Sequence, residues 1–184
     1  MKPAMQFLIS ITTVVAMLAP SIATAHPGHT NGLVAGLAHP LMGIDHLLAM
    51  LAVGVWSAQL CGHSRYAVPV TFVLLMLAGA LIGFGQSVPV AVEMGVVGSI
   101  VVLGLLIARA VRPPLTTSLL LAGSFAALHG YAHGAEIPAE VSSLAFVAGM
   151  ALTTLVLQML GVTLARSWLS QRHRLQRWSG ADFS

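Results

Sequence analysis

The sequence predicts an all-α, polytopic membrane helix bundle, with about five to six transmembrane helices following a cleavable signal peptide. Three observations lead there. Hydrophobic residues make up 57% of the 184 positions and charged residues only 7%, the mean hydropathy is +0.91, and the apolar residues gather in runs long enough to cross a bilayer. A soluble domain carries about a quarter of its residues charged, so a cytosolic enzyme or a nucleic-acid-binding domain is excluded. Helix rather than open strand follows because a helix satisfies its own backbone groups in lipid.

The elements come in order. Residues 1–25 read as the signal peptide: Lys2, an apolar stretch from Phe7 to Leu18 and the small triplet Ala23-Thr24-Ala25. That apolar core is short of the roughly 20 residues a span needs, so cleavage is expected and the mature chain begins at His26. Residues 26–166 form the transmembrane domain. Its first apolar run, 32–60, contains HPLMGIDHLLAM at 39–50. Pro40 removes a backbone donor there and Gly43 loosens the helix, so a break near Pro40 is expected. Whether the two pieces form one span or two separates a five-span from a six-span count.

The further runs are 67–84, 88–108, 114–130 and 140–165, parted by polar or turn-forming segments. Gly79 and Gly83 form a G-x-x-x-G, which permits close helix contact without naming a partner, so a homo-oligomer stays open. Residues 167–184 form a basic cytoplasmic tail, partly amphipathic and suited to an anionic leaflet.

The net charge of +3 and the pI near 9.8 reflect topology. With the mature N-terminus in the periplasm of a bacterial inner membrane and the C-terminus in the cytoplasm, Arg65, Arg109, Arg112, Arg166, Arg172, Arg174 and Arg177 all fall inside. The outer connections 85–87 and 131–140 hold no Lys or Arg. Cys61 is the single cysteine, which excludes an internal disulfide. With His63 it makes at most a weak metal-binding pair on the inner side.

Ionisable groups stand out against this background, because a charge at the bilayer centre costs about 3 kcal/mol or more. At 1.5 Å per residue, His39 lies about 10 Å along the first run and Asp45 and His46 about 20 Å, toward the midplane. Glu93 falls in the first two turns of the third run. His129 lies in the last turn of the fourth run, with His133 and Glu136 just beyond it, so all seven belong to the outer half.

His39 and His46 are seven apart, near one face of an unbroken helix, and His129, His133 and Glu136 follow i, i+4, i+7. A single histidine here would serve as well for an interhelical hydrogen bond; the collection suggests a site. Imidazole plus carboxylate without thiolate suits nickel, cobalt, zinc or copper(II), whereas calcium and magnesium want more oxygen donors. His26 and His29 would add imidazoles and a free amine as an outer capture site, or serve only as a solvated tail. Met42, Met50, Met76, Met94 and Met150 read as packing. On the inner half the polar candidates are Gln59, Thr116, Thr117, Ser124 and Gln158, and the sequence does not choose among them.

The run from His39 through Asp45-His46 to Val53-Gly54 resembles the first signature of the HupE/UreJ family. His129 to Glu136 is similar to its second, His-Gly-x-Ala-His-Gly-x-Glu, with Leu128 where phenylalanine is expected. The resemblance covers the length, signal peptide and span pattern. It implies a permease for nickel, or cobalt, serving hydrogenase or urease maturation. It assigns metal handling to His39, Asp45, His46, His129, His133 and Glu136, while Glu93, His26 and His29 are added from position alone.

The expected function is therefore uptake of Ni2+, or Co2+, from periplasm to cytoplasm by facilitated diffusion or secondary transport, with no cofactor permanently bound. No G-x-x-x-x-G-K-[ST] run points to ATP hydrolysis, and a dication entering down 100 mV gains about 4.6 kcal/mol, twice the 2.3 per charge. Uptake is expected to fall below about pH 6, since protonated histidine cannot ligate. A zinc-dependent intramembrane hydrolase is the alternative, and a haem-bearing electron carrier a third reading.

Overall fold

The computed structural model describes residues 32–60 and 62–181, with side chains as far as residue 169. The expected signal peptide, His26, His29 and Cys61 lie outside the described residues. Among the described residues there are helices and no strand: α1 (Gly32–Met42), α2 (Ile44–Gln59), α3 (Ser64–Gly83), α4 (Val90–Ala108), α5 (Leu115–Ala135) and α6 (Ser143–Ala181). Pro89 and Pro114 cap α4 and α5 in extended backbone, with ψ of 145° and 156°. A proline there leaves no N–H of its own without a partner.

Three helices are long and apolar enough to cross a membrane: α3, α4 and the Ser143–Leu169 part of α6. The α1–α2 pair, bent by 82°, makes a fourth when taken as one broken span. Helix α5 has 21 residues, about 31 Å of rise, but Thr116, Thr117, Ser118, Ser124 and its histidines dilute its apolar character. Leu74, Leu81, Ile82, Val90, Val101, Leu120 and Leu152 are exposed, as an outward face meant for acyl chains should be. The architecture is a membrane helical bundle.

The expected break near Pro40 lies at Gly43, which is extended (φ −100°, ψ 119°) between α1 and α2. Pro40 is inside α1 and buried. Because the chain turns there, counting depth along a straight helix fails beyond Gly43. Asp45 and His46 begin a new helix instead of continuing α1.

Helix α5 also runs past residue 130, the expected end of its run, to Ala135. Its glycines do not terminate it, because they serve contact. A methyl group at Gly130 would run into the carbonyl of Met76, and one at Gly134 into that of Ala80. In return, Gly79 and Gly83 lie against the carbonyls of Ala127 and Tyr131. The G-x-x-x-G of α3 is thus used within the chain, against a second one on α5.

Helix α6 is held the same way. Gly36 lies against the Phe146 carbonyl, Gly54 against that of Gln158, and Gly149 against that of Leu33. Thr153 Oγ1 donates to the Leu37 carbonyl at 2.9 Å, tying α6 to α1. Thr153→Val is expected to cost about 1 kcal/mol, read as a lower melting temperature in detergent. An unchanged melting temperature would show that this bond contributes nothing.

The helix directions divide the bundle into two ends. At one, Trp56 Nε1 donates to the Val111 carbonyl and Gln59 Nε2 to that of Ile107, both at 3.2 Å. They brace the turn where Ala110 takes a left-handed φ of 50°. Arg65, Arg109 and Arg112 belong to this end. The far ends of α3 and α5, the α1–α2 break and the start of α6 make the other.

Candidate metal centre

Each side chain is aimed by a local feature of the backbone. His39 ends α1 and His46 starts α2, and the bend between them brings their ring centroids to 6.3 Å. Gly43 supplies both the turn and the room, since a Cβ there would sit 3.0 Å from Asp45 Oδ1 and 3.2 Å from His46 Nδ1. On α5, His129 and His133 are one turn apart, with Glu136 at the C-cap. Each histidine precedes a glycine that faces α3, so docking those glycines turns the imidazoles toward α1 and α2.

His39 Nε2 lies 2.8 Å from His133 Nδ1 and 3.1 Å from Glu136 Oε2. The His46 ring meets His133 edge-on, with centroids 4.3 Å apart. One ligand atom from each of His39, His46 and His133 falls in a group no wider than 4.8 Å. With metal–nitrogen bonds of about 2.1 Å, opposite ligands in one shell stand about 4.2 Å apart. Adjacent ligands in such a shell stand about 3–3.4 Å apart, so the three imidazoles share an ion after side-chain adjustments of about an ångström.

Protonation follows from the partners. His129 Nδ1 is 2.9 Å from the Phe125 carbonyl, which only accepts, so Nδ1 carries the hydrogen and Nε2 keeps its lone pair. That Nε2 is buried without a partner, as is Nε2 of His133. Leaving such atoms unpaired costs about 1–3 kcal/mol each, a cost that a bound cation would offset.

The carboxylates flank this group. Asp45 Oδ2 is 3.7 Å from His46 Nε2, and Glu136 Oε2 is 3.8 Å from His133 Nδ1; both acids are about half exposed. Contacts with His133 and then His39 hold the Glu136 carboxyl well below the usual carboxylate range, with burial opposing them. Two carboxylates balance the charge of one dication.

The structure brings together His39, His46, His133 and Glu136, with Asp45 beside His46 and His129 next inward, its ring 5.9 Å from that of His46. Glu93 does not join them: it is exposed in the first turn of α4. The sequence reading did not single out Phe146 and Phe72, whose rings lie 5.2 Å from His39 and 5.9 Å from His129. Buried aromatics are common in cores, and neither position carried a signal of its own.

An all-helical membrane bundle with histidines and carboxylates gathered at one end defines the class. The chain belongs to the HupE/UreJ family: the model of the HupE / UreJ protein matches residues 14–184. Protein HupE of Rhizobium leguminosarum bv. viciae is 41% identical over 156 residues, covering 84% of this chain and 81% of the relative. No solved structure matches the chain.

Proposed function

We propose that the protein moves a divalent first-row transition ion, nickel foremost and cobalt as a second cargo, from periplasm to cytoplasm across a bacterial inner membrane, supplying hydrogenase or urease maturation. The observation that carries this reading is the set of three histidines with ligand atoms inside 4.8 Å. Unpaired buried nitrogens on His133 and His129 support it further. Membership of the HupE/UreJ family favours transport over the zinc hydrolase, and no catalytic residue is assigned.

The reading takes α1–α2 as one broken crossing and α3, α4, α5 and α6 as the other four, within a permease domain of residues 26–166. The histidine end faces the periplasm and the arginine end the cytoplasm, by the preference of Lys and Arg for the inner side. His26 and His29, after cleavage of residues 1–25, would meet the ion first, and residues 167–184 form the basic tail. The imidazoles replace part of the ion's water shell while Asp45 and Glu136 balance its charge, and the membrane potential drives it inward.

Nickel-63 accumulation in cells producing the protein, set against cells with an empty vector, tests the reading. Several-fold higher accumulation is expected; equal counts for nickel and for cobalt would overturn it. Glu136→Gln keeps a hydrogen-bond acceptor for His39 but removes the charge, and is expected to weaken nickel binding about tenfold. Equilibrium dialysis of the purified variant reads this directly, and an unchanged affinity would remove Glu136 from the site.

A further inference from the structure

We infer that Thr154 and Gln158 of α6 form a second, weaker station for the ion, inward of the histidines. The inference rests on the transport reading above and extends it to the inner half of the path. Gln158 is fully buried, and neither its Oε1 nor its Nε2 has a hydrogen-bond partner. Each unpaired buried group is destabilising, and leucine would fill similar space without that cost. An amide held there unpaired in an apolar helix is suited to a visitor that supplies what the protein does not.

The position fits a path. The backbone of Gln158 packs on Gly54, since a Cβ at Gly54 would run into the Gln158 carbonyl. Gly54 lies about 12 Å along α2 from His46, at 1.5 Å per residue. One turn before Gln158, and on the same face of α6, Thr154 is also fully buried. Its hydroxyl donates to Met76 Sδ at 3.7 Å, which leaves its oxygen lone pairs available.

Between the histidines and this pair lie Met50, Met76 and Met150, all fully buried. Met50 is one turn beyond His46. Met76 lies against Gly130, beside His129, and reaches Thr154 through its sulfur, and Met150 is one turn beyond Phe146, which packs on His39. The sequence reading took these methionines as packing, and they fill the core as such, but their thioethers are also neutral donors. An ion leaving the charged site would then meet only uncharged sulfur and oxygen. A station of that kind binds weakly enough to let go, as conduction requires.

The same comparison separates Gln158 from the other inner candidates. Thr116, Thr117 and Ser124 are exposed, and the Gln59 Nε2 is committed to the Ile107 carbonyl. Among those candidates, Gln158 is the one fully buried with both amide atoms unpaired.

The test uses the purified full-length chain, with nickel-63 chloride as probe, in detergent for binding and in sealed proteoliposomes for uptake. Gln158→Leu is expected to keep nickel affinity within twofold of wild type, because the histidines are untouched, while uptake falls at least tenfold. Gln158→Glu is expected to bind a second equivalent of nickel and also to slow uptake, since a carboxylate would hold the ion.

Wild-type uptake by Gln158→Leu would overturn the inference and leave the amide to a buried water. Should Gln158→Leu fail to fold, shown by loss of its nickel binding, Thr154→Val decides. That variant preserves side-chain shape, and at least threefold slower uptake is expected of it; an unchanged rate overturns the second station. Wild-type vesicles that take up no nickel would instead sink the transport reading itself, and this inference with it.

Discussion

Replacing His133 with alanine is expected to abolish nickel uptake, with at least a hundredfold loss of initial rate in cells that carry the variant at wild-type levels in the membrane. The ring of His133 is where the site converges. Its Nδ1 is 2.8 Å from His39 Nε2 and 3.8 Å from Glu136 Oε2, its ring meets that of His46 at 4.3 Å, and its Nε2 is buried and unpaired. Alanine removes one of three ligands and the ring that spaces the other two. Changes to groups that merely orient a metal ligand cost 10–100-fold in affinity, so loss of a ligand should cost at least the upper figure. His63→Ala serves as the comparison. His63 is exposed at the N-cap of α3, at the arginine end, and its loss should leave uptake within twofold. Uptake by His133→Ala within threefold of wild type would exclude the three-histidine group as the entry site.

Much of this site is legible in the sequence because helical spacing carries it. The i, i+4, i+7 placement of His129, His133 and Glu136 needs only a continuous helix, and α5 supplies one as far as Ala135. The pairing of His39 with His46 was legible for a different reason than the one that holds. Seven residues return to one face in an unbroken helix, yet here the helix is broken and an 82° bend brings the rings together. Periodicity cannot state the size of a bend, so distance counted along a straight helix does not give how far Asp45 and His46 lie from His39. Glu93 shows the same limit, since depth alone does not say which way a helix face points, and its side chain is exposed. Gln158 could be named as polar and inward, but its lack of any partner depends on what α2 and α3 bring beside α6, which no local pattern encodes.

The electrostatics of the histidine cluster also explain why its acids stand at the rim. Asp45 and Glu136 are about half exposed, while His129 and His133 are buried. A buried carboxylate without a cation would carry a desolvation cost of several kcal/mol in the empty state, whereas a neutral imidazole waits unpaired at about 1–3 kcal/mol. The carboxylates therefore keep access to water and the imidazoles reach inward. That order lets the cluster stand empty at modest cost, as the proposed transport requires.

Gly130→Leu should prevent the bundle from forming, and this effect on the amount of folded protein is expected to exceed that of any change in the site's acids. The seam between α3 and α5 repeats at four residues on both helices: Gly79 and Gly83 on one, Gly130 and Gly134 on the other, each against a carbonyl of its neighbour. Overpacking costs about 1–3 kcal/mol when side chains can move aside. Here the obstacle at Gly130 is the backbone of Met76, so the helices must separate and forfeit the whole seam, whose close contact takes the place of a hydrophobic drive between helices in lipid. Even Gly130→Ala places a methyl group on that carbonyl and should lower the melting temperature sharply. Gly98→Ala is the matched comparison: nothing lies near a methyl group there, and replacing glycine in a helix should stabilise by about 0.5–1 kcal/mol. Because each glycine of the α5 seam follows a histidine of the site, separating the helices also turns the imidazoles away from α1 and α2, so nickel binding should be lost together with the fold. Full-length Gly130→Leu that melts and binds nickel like the wild type would show that the α3–α5 contact is not what aims His129 and His133.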